Sequence, residues 1–303
     1  MKRALKWTGR IVGAIVLLLV LAAGAVYAIS EIEISSTYER KPEKIIIPND
    51  SMSLERGRHL VRAIAKCVDC HGEDFGGTLV IDDPMVGHIP APNITSGRGS
   101  VTRNYTDADW VRTIRYGVRP DGKPVVVMPS NEYWHHDDDE LGAIIAYIKS
   151  VPPVDREMGE KSLGLVIRVL YLAGQIPLPA EVIDADAKRP VAPPAGPTAE
   201  YGKHLSITGG CIGCHGPSLS GGKIPGAPPD FPAARNLTPD NETGIGKWSE
   251  DDFFRALRTG KRPDGSDLKP PMPWKYTATM KDDEIRALWL YLRTLPAKPL
   301  GNR

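Results

Sequence analysis

The sequence predicts an all-α protein in which two similar halves follow one N-terminal apolar helix. Three observations support this fold class. Each half ends in a segment whose apolar residues recur with helical periodicity, and no segment has a strand pattern strong enough to assign. The pentapeptide Cys-x-x-Cys-His occurs once in each half. An uncharged and mostly aliphatic run of 19 residues precedes both halves.

The N-terminal run predicts a membrane-spanning helix. Residues 1–10 contain four basic side chains and no acidic one, and residues 11–29 are uncharged. A run of this length can cross a bilayer as a helix, and its basic flank stays on the cytoplasmic side. The rest of the chain would then lie outside the membrane. Val26-Tyr27-Ala28 is also an acceptable cleavage site, so a cleaved signal peptide is the alternative.

The length of 303 residues suits two domains. The predicted division is an anchor or signal peptide (1–30), a spacer (31–50), domain 1 (51–155), a linker with a short apolar helix (156–197) and domain 2 (198–303). Residues 163–173 are too short to span a membrane, and we expect this helix to pack against one of the domains. The formal net charge of +1 indicates no nucleic-acid partner.

The two Cys-x-x-Cys-His pentapeptides contain every cysteine of the chain and predict two covalently bound c-type haems. In such a site the two thiols bind the haem vinyl groups, and the adjacent histidine gives the iron one axial nitrogen. A shared Cys₄ zinc site is disfavoured, because the pairs lie 144 residues apart, whereas zinc-ribbon pairs are separated by about 15–20 residues. The predicted attachment residues are Cys67, Cys70, Cys211 and Cys214, and the predicted proximal ligands are His71 and His215.

The similarity of the halves extends beyond the haem motifs. Gly-Arg-His-Leu at residues 57–60 corresponds to Gly-Lys-His-Leu at residues 202–205. Capping boxes at residues 106–109 and 249–252 each begin a short helix that ends at a glycine. An amphipathic helix then closes each repeat.

A methionine in each repeat predicts the second axial ligand of the iron. Met128 and Met272 each precede a proline, and each lies 61 residues after the first cysteine of its haem motif. A thioether is the soft sixth ligand that raises the potential of electron-carrying haems. The matched spacing in two diverged copies favours ligation over simple core packing for both residues.

Other candidate ligands fit less well. Met85 and Met280 have no counterpart in the other repeat. His135 and His136 follow the predicted methionine of the first repeat closely, and we interpret them as surface residues.

Three kinds of paired residue have structural interpretations. His59 and His204 are expected to contact a closing helix rather than bind iron. The Asn-x-Thr triplets are expected to make side-chain hydrogen bonds in loops rather than carry glycans. Arg115 and Arg258 are candidates either for haem propionates or for a structural role.

The order of these motifs resembles the class I cytochrome c domain. More closely, it resembles the tandem cytochrome domains of membrane-bound dehydrogenase cytochrome subunits, such as those of alcohol or gluconate dehydrogenases. This resemblance implies an all-helical fold, exposure to the periplasm and the passage of single electrons. It also implies that Gly57 and Gly202 let the entering helix cross closely over the closing helix near Tyr147 and Tyr291. Those subunits carry three haem motifs and a C-terminal attachment, whereas this chain has two motifs behind an N-terminal run.

The sequence thus predicts a di-haem c-type cytochrome, anchored in the bacterial inner membrane by one helix, with its domains in the periplasm. It would transfer single electrons between a periplasmic dehydrogenase or quinol-oxidising complex and a downstream acceptor such as a terminal oxidase. We expect such a protein to be an electron carrier rather than an enzyme. The alternative is a di-haem enzyme such as a cytochrome c peroxidase, which needs an iron with an open sixth position. A methionine in both repeats argues against that alternative.

Overall fold

The computed structural model describes residues 2–189, 191–228 and 230–303. It is rich in helix, as the sequence predicts. The first half contains α1 (Lys2–Ile34), α2 (Ser51–His59), a π turn (Leu60–Ile64), α3 (Cys67–His71), α4 (Asp107–Tyr116), α5 (Ser130–Tyr133) and α6 (Asp138–Ser150). The linker contains α7 (Leu165–Leu172) and α8 (Pro179–Val182). The second half contains α9 (Ala199–Thr208), α10 (Cys211–His215), α11 (Glu250–Thr259), α12 (Trp274–Thr277) and α13 (Asp282–Thr294).

Helix α1 is the one helix of the described residues that is long and apolar enough to cross a membrane, by length and composition. Its aliphatic side chains between Ile11 and Leu21 are at least 50% exposed. Its last turns, in contrast, are attached to the rest of the protein. The guanidinium of Arg168 in α7 donates to Ser30 Oγ at 2.8 Å and to Glu31 Oε2 at 2.8 Å. Ser30 is completely buried.

In each repeat the entering helix crosses the closing helix at a glycine. A Cβ atom on Gly57 would lie 2.0 Å from the carbonyl oxygen of Ala143 and 2.9 Å from Cβ of Tyr147. A Cβ atom on Gly202 would lie 1.9 Å from the carbonyl oxygen of Ala287. The predicted close crossing is therefore confirmed in both repeats, because only glycine permits this approach of two backbones.

The two entering helices differ by one residue, and the π turn absorbs it. The first repeat has one residue more than the second between the shared His-Leu pair and the haem motif. At this place the Ala65 amide donates to the Leu60 carbonyl, which is the i to i+5 bond of a π turn. The helix ends therefore keep equivalent positions in the two repeats.

The expectation of no strands is wrong, because strands form in the first repeat and in the linker. A small antiparallel sheet in the order β1–β2–β3 is formed by β1 (Thr78–Asp83), β2 (Gly87–Ala91) and β3 (Ser162–Leu163). The sequence signal for this sheet is the β-branched run that ends at Asp83. The carboxylate of Asp83 accepts hydrogen bonds from the backbone amides of the following turn. Strand β1 is mostly exposed on both faces, so it lacks the alternation that identifies a half-buried strand.

Helix α7 packs both on the first repeat and on the membrane helix. Ile167 belongs to a small apolar cluster with Ile89 of β2 and Leu163 of β3, which confirms the expected packing against a domain. The contact with α1 was not expected. Arg168, which interrupts the apolar run in the sequence, makes that contact.

Both repeats contribute to one apolar core. Buried residues of α6 and of α13 belong to the same cluster. Across the contact, α5 of the first repeat packs against α9, and α12 of the second repeat packs against the π turn. The two halves thus meet through equivalent elements, in a two-fold-like arrangement.

Replacing Gly57 or Gly202 with alanine should force the crossing helices apart. We expect each change to lower the free energy of unfolding by about 1–3 kcal/mol, because a backbone carbonyl cannot move away as a side chain can. Guanidinium unfolding followed by circular dichroism measures this change in the free energy of unfolding. Gly159→Ala is the matched control, because its Cβ atom would meet nothing closer than 3.8 Å. A Gly202→Ala variant as stable as that control would contradict the prediction.

Candidate haem-attachment sites

Each Cys-x-x-Cys-His motif forms a single helical turn, α3 or α10. The residue before each turn has a left-handed backbone, with φ of 51° at Lys66 and 73° at Gly210. One turn places the two cysteines and the histidine of a motif beside one another, as a thioether-bound haem requires.

The four thiols fit thioether attachment better than thiolate chemistry. All four cysteines are free of disulfides. Burial raises the pKa of each thiol, to about 12 at Cys67. A zinc ligand or a nucleophile needs a thiolate, and therefore a lowered pKa. A thioether carries no charge, so burial does not oppose its formation as it opposes a thiolate.

Both motif histidines are oriented for iron. Nδ1 of His71 lies 2.9 Å from the carbonyl oxygen of Pro92, and Nδ1 of His215 lies 2.6 Å from that of Arg235. Because a carbonyl only accepts, Nδ1 must carry the proton, which leaves the lone pair on Nε2. Burial lowers the pKa of both rings, which favours the neutral form that binds metal. These donors fit haem iron.

The two predicted methionine ligands occupy equivalent places, and their binding to iron stays a prediction. Met128 and Met272 are both half-buried and lie two residues before α5 and α12. Met272 packs against the shared core. The segment after Met128 folds back on the haem turn, since the hydroxyl of Tyr133 donates to the carbonyl of Ala65 at 2.9 Å.

The other candidate ligands have different positions. Met85 is 54% exposed in the turn between β1 and β2, and Met280 is buried in the shared core. The surface interpretation of His136 is wrong, because its side chain is completely buried. His135 is half-buried.

The Asn-x-Thr triplets are buried, and the predicted side-chain hydrogen bonds are confirmed. The amide nitrogen of Asn93 donates to the carbonyl of Val154 at 2.7 Å, and that of Asn236 donates to the carbonyl of Lys298 at 2.6 Å. Each asparagine oxygen also accepts the hydroxyl of its threonine. The triplets therefore fasten the chain that follows each closing helix to the loop that holds the motif histidine.

The paired arginines bind the chain just before each closing helix. Arg115 is completely buried and donates to the carbonyl of His136 at 3.1 Å, and it pairs with Asp138 at 3.0 Å. Arg258 donates to the carbonyl of Met280 at 2.5 Å. Of their two interpretations, the structural role is the one the contacts support.

His59 and His204 contact closing helices as predicted, but each contacts that of the other repeat. Nε2 of His59 lies 2.8 Å from Oε1 of Glu284, and Nε2 of His204 lies 2.9 Å from Oε2 of Glu140. His59 is the equivalent of His204, and Glu284 is the equivalent of Glu140, so the two contacts are reciprocal. Sequence comparison of the repeats could not show this exchange.

One of these pairs is part of a larger buried group. Nδ1 of His136 lies 2.8 Å from the same oxygen of Glu140 that binds His204. The three ligand atoms are close enough to hold a metal ion. However, Arg56 lies 3.6 Å from the second carboxylate oxygen, and the short hydrogen bonds fit a network bridged by protons. Burial would raise the pKa of the Glu140 carboxyl, but the hydrogen bonds from His136 and His204 outweigh it and hold that pKa well below its ordinary value.

The two haem turns also contact each other, through residues that sequence analysis missed. Nζ of Lys66 donates to the carbonyl of Gly209 at 2.5 Å, directly before the second motif. Glu132 lies against Gly210 and Gly213, where an added Cβ atom would approach its carboxylate to 2.8 and 2.5 Å.

The equivalent of Glu132 in the second repeat is Tyr276 on α12, the helix that packs against the π turn of the first repeat. Burial raises the pKa of Glu132 to about 7 and lowers the pKa of Lys66. The sequence contains one signal for this contact between the haem turns, because Lys66 stands where the other repeat has a glycine.

Comparisons with known proteins agree with these sites. Residues 199–296 match the family described as cytochrome c, and residues 53–148 match the family described as cytochrome C oxidase, cbb3-type, subunit III.

Three curated relatives are similar over most of the chain. Identity is 29% over 280 residues to the alcohol dehydrogenase (quinone) cytochrome c subunit of Gluconobacter oxydans. It is 29% over 278 residues to the gluconate 2-dehydrogenase cytochrome c subunit of Pantoea cypripedii, and 28% over 265 residues to the fructose dehydrogenase cytochrome subunit of Gluconobacter japonicus. These matches cover 84%, 82% and 81% of this chain but 57%, 61% and 53% of the relatives. The chain thus spans little more than half their length, and the similarity supports a haem-based electron-transfer role.

Replacing Glu140 with glutamine should weaken the contact between the repeats. We expect the free energy of unfolding at pH 7 to fall by about 1.5–3 kcal/mol, because two buried histidines lose a charged acceptor. Since the folded pKa is lowered, the glutamate contributes fully above its ordinary pKa of 4.5 and progressively less as the pH falls below it. Urea unfolding of both proteins between pH 7 and pH 3 measures this, and the difference should shrink towards low pH.

The control is Glu55→Gln, because the ion pair of Glu55 with Arg58 is exposed. That change should cost less than about 1 kcal/mol. Equal losses in the two variants, or a difference that grows as the pH falls, would contradict the prediction.

Proposed function

Because this chain carries two cytochrome c domains in tandem, we propose that it is a membrane-anchored di-haem c-type cytochrome. It would transfer single electrons between a periplasmic dehydrogenase or quinol-oxidising complex and a downstream acceptor. The observation that carries the proposal is the duplicated Cys-x-x-Cys-His turn, whose histidine is held in both repeats by a backbone carbonyl.

The residues of each domain would hold the haem and leave the iron no open position. Haem iron, when bound, supplies one-electron exchange, and the protein supplies its attachment, ligands and surroundings. Cys67, Cys70, Cys211 and Cys214 would bind the two haems, with His71, Met128, His215 and Met272 as axial ligands. Saturated coordination favours a carrier over a peroxidase.

Contacts between the two haem turns support transfer within the chain. Lys66 binds the backbone directly before the second motif, and Glu132 lies against Gly210 and Gly213 at that motif. The chain would therefore bring its two haems together without a further subunit.

The attachment of α1 supports a retained anchor over a cleaved signal peptide. Arg168 binds Ser30 and Glu31 and stacks 4.7 Å from the ring centre of Tyr27. Cleavage near Ala28 would remove part of this contact. The domains would then lie in the periplasm, beside the bacterial inner membrane.

A dehydrogenase is the partner that the relatives favour, because three of them are cytochrome subunits of alcohol, gluconate and fructose dehydrogenases. A quinol-oxidising complex or a terminal oxidase would be the second partner.

The purified protein should contain two haems per chain. A pyridine haemochrome assay against protein concentration should give a ratio near two, and Cys211→Ala/Cys214→Ala should give one. Acidic organic solvent should extract no haem from the unmutated chain, because thioether bonds are covalent. A ratio of one in the unmutated protein, or extractable haem, would contradict the proposal.

Replacing Met128 or Met272 with alanine should open one iron each. That haem should become high-spin or water-ligated and should have a lower reduction potential, because the soft thioether is lost. Optical spectra, CO binding and a redox titration measure these changes.

The control for the methionine variants is Met85→Ala, an exposed residue that should change none of these properties. Rapid CO binding and peroxide turnover by the unmutated protein would reverse the assignment and favour the peroxidase.

A further inference from the structure

A cavity of about 800 Å³ lies where α1 meets the first repeat. Its wall includes the last turns of α1, the turn between β1 and β2, the turn at residues 119–124 and the segment that leads into α7. Neither haem motif contributes to it, so it is separate from the attachment sites.

The position along α1 places this cavity at the level of lipid headgroups. The hydrocarbon core of a bilayer is about 30 Å thick, or about 20 helical residues. Counted from Ile11, that length ends at Ser30. The headgroup layer extends roughly 5–7 Å further, which corresponds to about four or five residues of helix. Glu31 and Ser35, which line the cavity, fall within that layer.

The acidic side chains of the cavity wall already have partners. Glu31 pairs with Arg168 at 2.8 Å, and Asp82 pairs with His88 at 3.0 Å. The carboxylate of Asp83 accepts the two backbone amides of the β1–β2 turn.

Two cations of the wall have no such partner. Within the described residues, Lys123 and Lys161 form no ion pair, although both line the cavity. Arg119 pairs with Asp121 at 3.2 Å, but its buried Nε has no hydrogen-bond partner in the described structure. Burial and the neighbouring Arg119 both lower the pKa of Lys161. The wall contains four Lys or Arg side chains and three Asp or Glu side chains, so it holds more positive than negative charge.

We propose that this cavity binds the phosphate of an anionic phospholipid headgroup, with Lys123, Lys161 and Arg119 as its positive contacts. The inference rests on the proposed membrane anchor. Basic side chains at this depth attract anionic lipid through its phosphate. A soluble phosphate has the same chemistry, so the experiment separates the two sources.

The test titrates phospholipid into the full-length holoprotein in detergent and counts bound lipid by native mass spectrometry. The probes are phosphatidylglycerol, phosphatidylcholine and inorganic phosphate. The variant is Lys123→Gln/Lys161→Gln. Its matched control is Lys247→Gln/Lys269→Gln, which removes the same charge from exposed lysines of the second repeat.

The unmutated protein should bind phosphatidylglycerol in preference to phosphatidylcholine. The Lys123→Gln/Lys161→Gln variant should bind phosphatidylglycerol roughly tenfold more weakly than the unmutated protein does. The control should bind as the unmutated protein does. Equal loss in both variants, or no loss in either, would overturn the proposal. Displacement of phosphatidylglycerol by an equal concentration of inorganic phosphate would overturn the lipid as ligand and assign the site to soluble phosphate.

Extraction of membranes with carbonate and the ratio of haem to protein are measured on the same three proteins. Both should be unchanged by either double variant. Release of the unmutated protein by carbonate would contradict the anchor of the proposed function, whatever the lipid titration gives. A retained, fully haem-loaded protein without lipid preference would contradict this inference alone.

Discussion

Two reciprocal histidine–glutamate contacts fix the arrangement on which the rest of the structure depends. His59 reaches Glu284, and His204 reaches Glu140, so each entering helix is tied to the closing helix of the other repeat. All four groups are largely buried, and removing one partner would leave the other without compensation. This exchange makes the two repeats one body, although each has its own haem motif.

The same exchange brings the two haem turns together. Lys66 and Glu132 of the first repeat both contact the backbone at the second motif. A pair of domains joined only by a flexible linker could change their separation freely. Here the separation is set by a shared core, which suits a protein whose proposed task is to pass electrons from one site to another.

Features within a repeat were predictable because each depends on a short stretch of sequence. The capping boxes and the left-handed stops at Gly117 and Gly260 are formed as predicted. The strands were missed because β1 is exposed on both faces. Comparison with the second repeat gave no support for a strand either, because the corresponding loop is interrupted by Pro225, Pro228 and Pro232. Contacts between repeats were missed for a different reason. Comparison of the copies pairs equivalent residues, whereas the interface joins residues that are not equivalent.

The π turn allowed the two copies to diverge without losing their common frame. An extra residue in an α-helix would rotate everything after it by about 100°. Bulging within one turn cancels that rotation, so the glycine crossing before it and the haem turn after it both stay in place. A duplicated domain that absorbs an inserted residue in this way can accumulate differences in one copy only. Strands β1 and β2, which form part of the cavity wall, have no counterpart strands among the described residues of the second copy, which shows how far one half has specialised while the pair has kept its symmetry.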